Sequence, residues 1–252
     1  MPEIRTAPLI ELFHLAFLQV LQARLDQSSY VLKGGANLRY FFESVRYSED
    51  IDLDAGGIEP WALAERVDGV LASPVIGRLL RTSGLAVGEI TKPKQTETTQ
   101  RWKVALTASG RRDPIRTKIE FSRRNGDDRF LLEAVPGRVV APYALRSPTL
   151  QHYTGEAAVE QKVEALAGRS ETQARDVFDL DLLLRRQPPT PITVGSQVRV
   201  QAAERALELP SAAFRDQVLP FLDPEVAELY EDPATWPQIQ GYVVERLLEK
   251  TS

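Results

Sequence analysis

Apolar residues recur at helical spacing from Ala7 to Arg24 (Leu9, Leu12, Phe13, Ala16, Phe17, Val20, Leu21), which predicts an amphipathic helix packed along one face. Tyr30-Val31-Leu32 is a short apolar run that stops at Gly34-Gly35, the pattern of a strand entering a tight turn. Leu38, Phe41, Phe42 and Val45 then fall at i, i+3, i+4 and i+7, the inward face of a short helix. Asp50-Ile51-Asp52-Leu53-Asp54 alternates strictly, as does a strand with one wet face. Pro60 to Ala72 reads as a helix with proline at its first position. Leu85–Ile90, Arg101–Ala108 and Ile115–Ser122 read as strands, the last with a clean period of two, and Val139–Ala141 reads as a further short strand. From Gly155 the pattern is helical. Ser170 and Gln173 form a capping box that would open a helix reaching about Arg186. The proline-rich stretch Gln187–Pro191 ends it and marks a connection, and three or four more helices follow. The expected class is α+β: a mixed sheet flanked by helices over residues 1–145, then a helical domain over 146–252.

The chain has 252 residues, enough for one large or two small domains and a full core without staples. With 43% apolar and 26% charged residues it has the composition of a globular protein. Zero cysteines exclude disulfides, thiolate metal sites and cysteine nucleophiles. No run of apolar residues is long enough to span a bilayer, and the N-terminus lacks the layout of a signal peptide. A cytoplasmic protein without membrane contact is the expectation. The net charge of −4 conceals an asymmetry. Residues 81–124 carry eleven Lys/Arg against four Asp/Glu, and residues 200–252 carry four against ten. Arginine supplies 24 of the 31 cations, the residue suited to bidentate phosphate contact and stacking on bases.

No P-loop, dinucleotide fingerprint, nucleophile elbow or zinc-helix pattern occurs. Of the two histidines, His14 lies within the first helix and reads as structural, and His152 falls in an apparent loop. The informative block is Val31-Leu-Lys-Gly-Gly-Ala-Asn-Leu-Arg39, followed by Arg46-Tyr-Ser-Glu-Asp-Ile-Asp-Leu53. A strand ends at Lys33, two glycines permit close backbone approach, and a helix begins whose free N–H groups can hold an anion. The returning strand places Asp50 and Asp52 on one face. Two adjacent carboxylates repel unless a cation neutralises them, and oxygen ligands without His or Cys favour Mg²⁺ or Mn²⁺. Three Asp in five strand residues contradict β propensity, and such local conflicts concentrate at functional sites. Either half alone would pass as a solvated edge strand or an ordinary turn.

These residues resemble a known family. Lys33-Gly-Gly-x-x-Leu-Arg39, Arg46-x-Ser-x-Asp-Ile-Asp-Leu53, Lys162-Val-Glu-Ala-Leu166 and Arg175-Asp-Val-Phe-Asp-Leu180 resemble, in order and spacing, the AbiEii/AbiGii toxins. This branch of the polymerase-β-like nucleotidyltransferases includes the MenT toxins of mycobacteria. The resemblance runs from about Leu9 to Arg186. It departs at Gly34-Gly35, where the superfamily has Gly-Ser, and at Ala36, where many of the toxins have Thr or Ser. Backbone N–H groups or Ser48 would then have to supply the missing phosphate contact.

The resemblance implies a metal-dependent nucleotidyltransferase toxin that moves nucleotides from an NTP to the 3′ acceptor end of tRNA and so blocks translation, with a cognate antitoxin as partner. Asp50, Asp52, Lys162 and Asp176 would be catalytic. Lys33, Gly34, Gly35, Arg46, Ser48 and Lys162 would bind the nucleotide. Asp50 and Asp52 would hold the metal, and a third carboxylate is expected from a neighbouring strand. Glu120, the only acid on the wet face formed by Arg116, Lys118, Glu120 and Ser122, fits that place; the alternative for it is a cross-strand ion pair with Arg or Lys. Asp176 aligns with the buried stripe of Leu180 and Leu183 and so needs a cationic partner, whether Lys162, Arg175 or the metal. Asp179 reads as structural, a partner for Arg175 at helical spacing. The basic region suits a phosphate-rich acceptor. The rival readings are transfer to a small-molecule or protein hydroxyl, and a nucleotide-binding module without catalysis.

Overall fold

The computed structural model describes residues 5–123, 128–186 and 192–249. The chain divides into two compact units, Met1–Phe41 with Tyr47–Tyr153 and Phe42–Arg46 with Thr154–Ser252. The expected connection at 187–191 lies outside the described residues.

The first unit is built on a seven-stranded mixed sheet. Its elements are α1 (Thr6–Leu21), β1 (Tyr30–Lys33), α2 (Gly34–Phe41), β2 (Asp50–Ala55), α3 (Pro60–Leu71), α4 (Pro74–Arg81), β3 (Leu85–Gln95), β4 (Thr99–Ala108), β5 (Ile115–Ser122), β6 (Phe130–Ala134), α5 (Gly137–Val140) and β7 (Thr149–Tyr153). The strand order is β3-β4-β5-β2-β1-β7-β6. β1 runs antiparallel to β2 and parallel to β7, and β2 runs parallel to β5. One sheet face is dry: Tyr30, Leu32, Ile51, Leu53, Trp102, Val104, Ile119 and Phe121 are buried on it, which is the alternation expected of strands with one covered face.

Against that core lies α1. It is buried on nearly all sides, Leu12, Phe13, Leu15, Phe17 and Leu18 included, so it is a central helix rather than the one-faced helix its periodicity suggests. Even Glu11 is buried, and it accepts hydrogen bonds from Arg39 at 2.8 Å and Tyr143 at 2.7 Å. His14 is also fully enclosed. Thr117 donates its hydroxyl to the Glu49 carbonyl at 2.7 Å, so the His14 Nε2 at 2.7 Å from Thr117 Oγ1 must carry the proton. Burial pushes the His14 pKa down to about 3, and the ring is neutral.

Several expectations need correction. The helix after Gly34-Gly35 stops at Phe41, not Val45, because Glu43 takes φ 56 and breaks the helical course. Val139–Ala141 lies in helix α5 and the turn after it, bracketed by Pro136 and Pro142; a three-residue apolar run cannot distinguish strand from helix. His152 is on strand β7, not in a loop, and stacks on Phe41 at 3.5 Å. β3 continues to Gln95 through Pro93, with shifted register about Thr91–Lys94, which an edge strand tolerates.

The second unit is helical: α6 (Gly155–Gly168), α7 (Ala174–Arg186), α8 (Ser196–Leu207), α9 (Ser211–Gln217), α10 (Pro224–Glu228) and α11 (Thr235–Leu248). Thr154 caps α6 by accepting from the Ala157 N–H. α7 begins at Ala174 rather than at a Ser170 cap, because the Gln217 side chain at the end of α9 accepts from the Ala174 N–H at 2.7 Å. Phe178, Phe214, Tyr230 and Trp236 form an aromatic core with centroid separations of 4.9–6.4 Å. Among the described residues no helix is long and apolar enough to cross a membrane.

Candidate active site

The wet face of the sheet carries the charged block. Asp50, Asp52 and Asp54 alternate with buried Ile51, Leu53 and Ala55 on β2, so a two-residue repeat places all three carboxylates on one side. Pairing in register sets their neighbours. Lys118 lies opposite Asp50, Glu120 opposite Asp52 and Ser122 opposite Asp54, all on β5. Lys33 lies opposite Asp52 on β1, and Arg101 on β4 lies opposite Glu120.

The three aspartates divide into two groups. Asp54 is enclosed by donors: Lys33 and Ser122 both reach Oδ1, and Tyr153 donates to Oδ2 at 2.9 Å. Lys33 also donates to Ser122 at 2.6 Å. Lys33, expected to grip phosphate, is therefore held by Asp54 and Ser122. Asp50 and Asp52 are about one-third exposed and face Lys118, whose ammonium is 3.2 Å from Asp50, 4.0 Å from Asp52 and 3.7 Å from Glu120. Glu120 also accepts from Arg101 at 2.6 Å. It thus sits beside Asp52 on the neighbouring strand and makes the cross-strand ion pair as well.

Electrostatics follow from this crowding. Burial raises the Asp52 carboxyl above its ordinary range; Lys118 opposes the rise and the charges on Asp50 and Glu120 add to it. Burial also works against the charged form of Glu120, but the Arg101 hydrogen bond and the Lys118 charge outweigh it and hold the group below its usual range. Burial would lower Lys118, yet the charges of Asp52, Asp50 and Glu120 raise it, so its ammonium stays protonated.

The glycine turn closes the site on one side. Gly34 takes φ +67 and opens α2 directly after β1. A Cβ there would lie 3.2 Å from Asp52 Oδ2, so both the backbone angle and the proximity of the carboxylate require glycine. Gly35 is the next residue of α2, where N–H groups lack partners within the helix. Ser48, expected as a phosphate contact, donates to the Asp50 carbonyl at 2.7 Å and pins the start of β2.

The later motif residues form a separate network within the helical unit. Arg46 is 3% exposed and belongs with the helices; it donates to both Asp179 oxygens at 2.8–3.1 Å. Lys162 donates to Asp176 at 2.9 Å and Asp179 at 2.6 Å. Arg169 Nε lies 3.0 Å from the second Asp176 oxygen. Arg46, expected among the nucleotide ligands, also donates to Asp179. Asp179 was expected to pair with Arg175, but it bridges Arg46 and Lys162. Asp176 is fully buried and lies in the first turn of α7, because that helix starts three residues later than the capping box suggested. Burial penalises the charged form of Asp179, but Arg46 and Lys162 outweigh it and hold its pKa below the ordinary range.

Two features escaped sequence reasoning. Lys118 was visible as a wet-face residue two positions before Glu120, but only the parallel register of β2 and β5 sets it opposite Asp50. The Asp54 network needs Tyr153, 99 residues away, and leaves no local trace.

Among the described residues no three acidic or histidine side chains are gathered as a ready-made metal cage. The donor set is nevertheless oxygen-only, and Lys118 already supplies a cation between the carboxylates. Mg²⁺ commonly takes one or two protein carboxylates and completes its shell with substrate phosphates and water, so Asp50 and Asp52 suit such an ion.

An alternating acidic strand beside a glycine turn, in a mixed sheet followed by helices, is the layout of a nucleotidyltransferase. The comparisons agree. Residues 16–244 match the family described as nucleotidyl transferase AbiEii toxin of Type IV toxin–antitoxin systems, and the chain belongs to that family. Two solved structures from Helicobacter pylori share its fold. JHP933 is 19% identical, with a TM-score of 0.55 over 94% of this chain and 91% of that one. A provisionally assigned nucleotidyltransferase is also 19% identical, with a TM-score of 0.55 over 95% and 96%. No curated protein matches the chain.

Proposed function

We propose that this toxin is a Mg²⁺-dependent (or Mn²⁺-dependent) nucleotidyltransferase that adds nucleotides from an NTP to the 3′ acceptor end of tRNA. The observation that carries the reading is the placement of Asp50 and Asp52 on one face of β2, with Asp52 in contact range of the Gly34 turn and Glu120 opposite it on β5. Asp50 and Asp52 would hold the metal, with Glu120 next to them on β5 as the third carboxylate. Such an ion, when bound, neutralises triphosphate charge and polarises the α-phosphate. The N–H groups at the start of α2 would cradle phosphate oxygens, since Gly34 and Gly35 allow close approach. An aspartate of the pair can accept the proton of the attacking hydroxyl. Lys33 shapes the site by anchoring Asp54 beside it.

Lys162 and Asp176 belong to this reading as the family's later motif.

The RNA acceptor is favoured by the lane of cations on the same sheet face. Lys94 pairs in register with Arg101, Lys103 with Lys118, and Ala105 with Arg116. Five cations therefore lie on neighbouring strands leading from Asp50 toward the β3 edge, a spacing that suits a phosphate backbone. A cognate antitoxin would silence the enzyme in the cell, where we place it in the cytoplasm.

The test is incubation with labelled NTPs, Mg²⁺ and total RNA. Label should enter tRNA, and Asp50→Ala should abolish it. Label in protein or in a small molecule, with RNA untouched, would replace the acceptor assignment; binding without transfer would replace the enzymatic one.

A further inference from the structure

We infer that Lys118 is a built-in counter-cation that competes with the metal for the acid cluster and must swing aside when the metal–nucleotide complex arrives. This rests on the metal-binding reading of Asp50 and Asp52, and deepens it.

The case begins with register. β2 and β5 run parallel with Asp50 opposite Lys118 and Asp52 opposite Glu120, so the lysine is built into the cluster rather than visiting it from a loop. Its ammonium lies within 4.0 Å of all three carboxylates, closest to Asp50 at 3.2 Å. Among the described residues no other cation reaches both Asp50 and Asp52. Lys33 is held by Asp54 and Ser122, and Arg101 is engaged with Glu120. Without Lys118, Asp50 and Asp52 would be adjacent like charges with no cation within 4.0 Å of either among the described residues.

A divalent ion held by Asp50 and Asp52 would have to sit close to the Lys118 ammonium, which lies 3.2 Å from one carboxylate and 4.0 Å from the other. An ammonium and a divalent cation cannot share that space, because their repulsion at such distances acts in a partly buried site. The lysine stem is long and partly exposed, with 26% of the side chain open to solvent, so the ammonium can rotate away. An incoming triphosphate offers it a new partner. Metal without nucleotide would have to displace Lys118 with no compensation, and metal with nucleotide would not. Lys118 therefore couples metal binding to nucleotide binding, and keeps the resting toxin poorly metallated.

The experiment is Mn²⁺ binding to the full-length protein without nucleotide, followed by electron paramagnetic resonance of the free ion. Lys118→Gln should bind Mn²⁺ at least about five-fold more tightly than wild type, and Lys118→Arg, which keeps the charge, should bind no more tightly than wild type. Adding a non-hydrolysable NTP analogue should tighten wild-type binding more than that of Lys118→Gln. Circular dichroism checks that both variants fold, and the two charge states give opposite expectations should one of them fail. Equal Mn²⁺ affinity in wild type and Lys118→Gln, each still lost on Asp50→Asn, would overturn the role of Lys118 and leave the metal site standing. Absence of Mn²⁺ binding from all of them, with or without the analogue, would overturn both.

Discussion

Replacing Asp179 by Asn tests the buried network of the helical unit. Asp179 has no exposed surface, and the side chains of its partners Arg46 and Lys162 are 4% and 12% exposed. Four hydrogen bonds end on its two oxygens, three from Arg46 and one from Lys162. An asparagine keeps the shape but loses the charge. Whichever way its amide turns, the NH₂ must face a cationic donor, because both oxygens of Asp179 are approached by one. At least one charge-assisted bond, each worth about 1.5–3 kcal/mol, is lost, and the remaining bonds weaken. Arg46 and Lys162 then keep buried charge with less compensation, and breaking a buried pair costs about 3–5 kcal/mol. The expected loss in urea unfolding is therefore about 3–5 kcal/mol. Asp181→Asn, two residues further along α7, is the control: it removes only an i,i+4 pair with half-exposed Arg185 and should cost less than about 0.5 kcal/mol. A loss below about 1 kcal/mol for Asp179→Asn, or equal losses for the two variants, would refute the reasoning.

Other outcomes follow from particular groups. His14 is neutral in the fold with a pKa of about 3 but titrates near 6.5 when unfolded, so below about pH 6.5 the unfolded state binds the extra proton and stability falls. The His14 share of that fall should reach roughly 3 kcal/mol by about pH 4.5; His14→Gln, which keeps a donor for Thr117, should flatten the acid limb of the stability profile measured by urea titration. Asp179 shows the carboxylate case. Its lowered pKa contributes stability above the unfolded value near about 3.9 that disappears as pH drops through the folded one, so Asp179→Asn should lose acid sensitivity in that range. Gly34→Ala should cost about 1–2 kcal/mol for its left-handed backbone and should weaken nucleotide binding in calorimetry as its Cβ presses on Asp52; unchanged affinity would remove the glycine turn from the site.

Much of the fold was legible because its signals are local. The period of β5 and the alternation of β2 follow from one dry face, and both strands lie where the pattern puts them. The Asp-x-Asp pair and the glycine turn stood out because they conflict with the propensities of the elements that hold them. What was lost depends on partners far away in sequence. α1 is enclosed all round because sheet and helices cover it, and no local pattern separates that from a one-faced helix. α7 begins at Ala174 because Gln217 caps it from another helix. Lys33, Arg46 and Ser48 were read from the motif as phosphate ligands, and what the chain could not show is that they also hydrogen-bond to Asp54 and Ser122, to Asp179, and to the Asp50 carbonyl.

The division has a physical origin. By itself the sequence determines which side chains share a face, since backbone periodicity settles that within a few residues, and it determines the oxygen-only chemistry of the acidic strand. Which charges meet is decided by strand order and register, and these arise from the burial of a core assembled from the whole unit. That is why Asp50 and Asp52 could be read from the chain, while the ammonium of Lys118 between them, and the burial of Asp176 and Asp179 against Lys162, could be seen only once the strands and helices had packed.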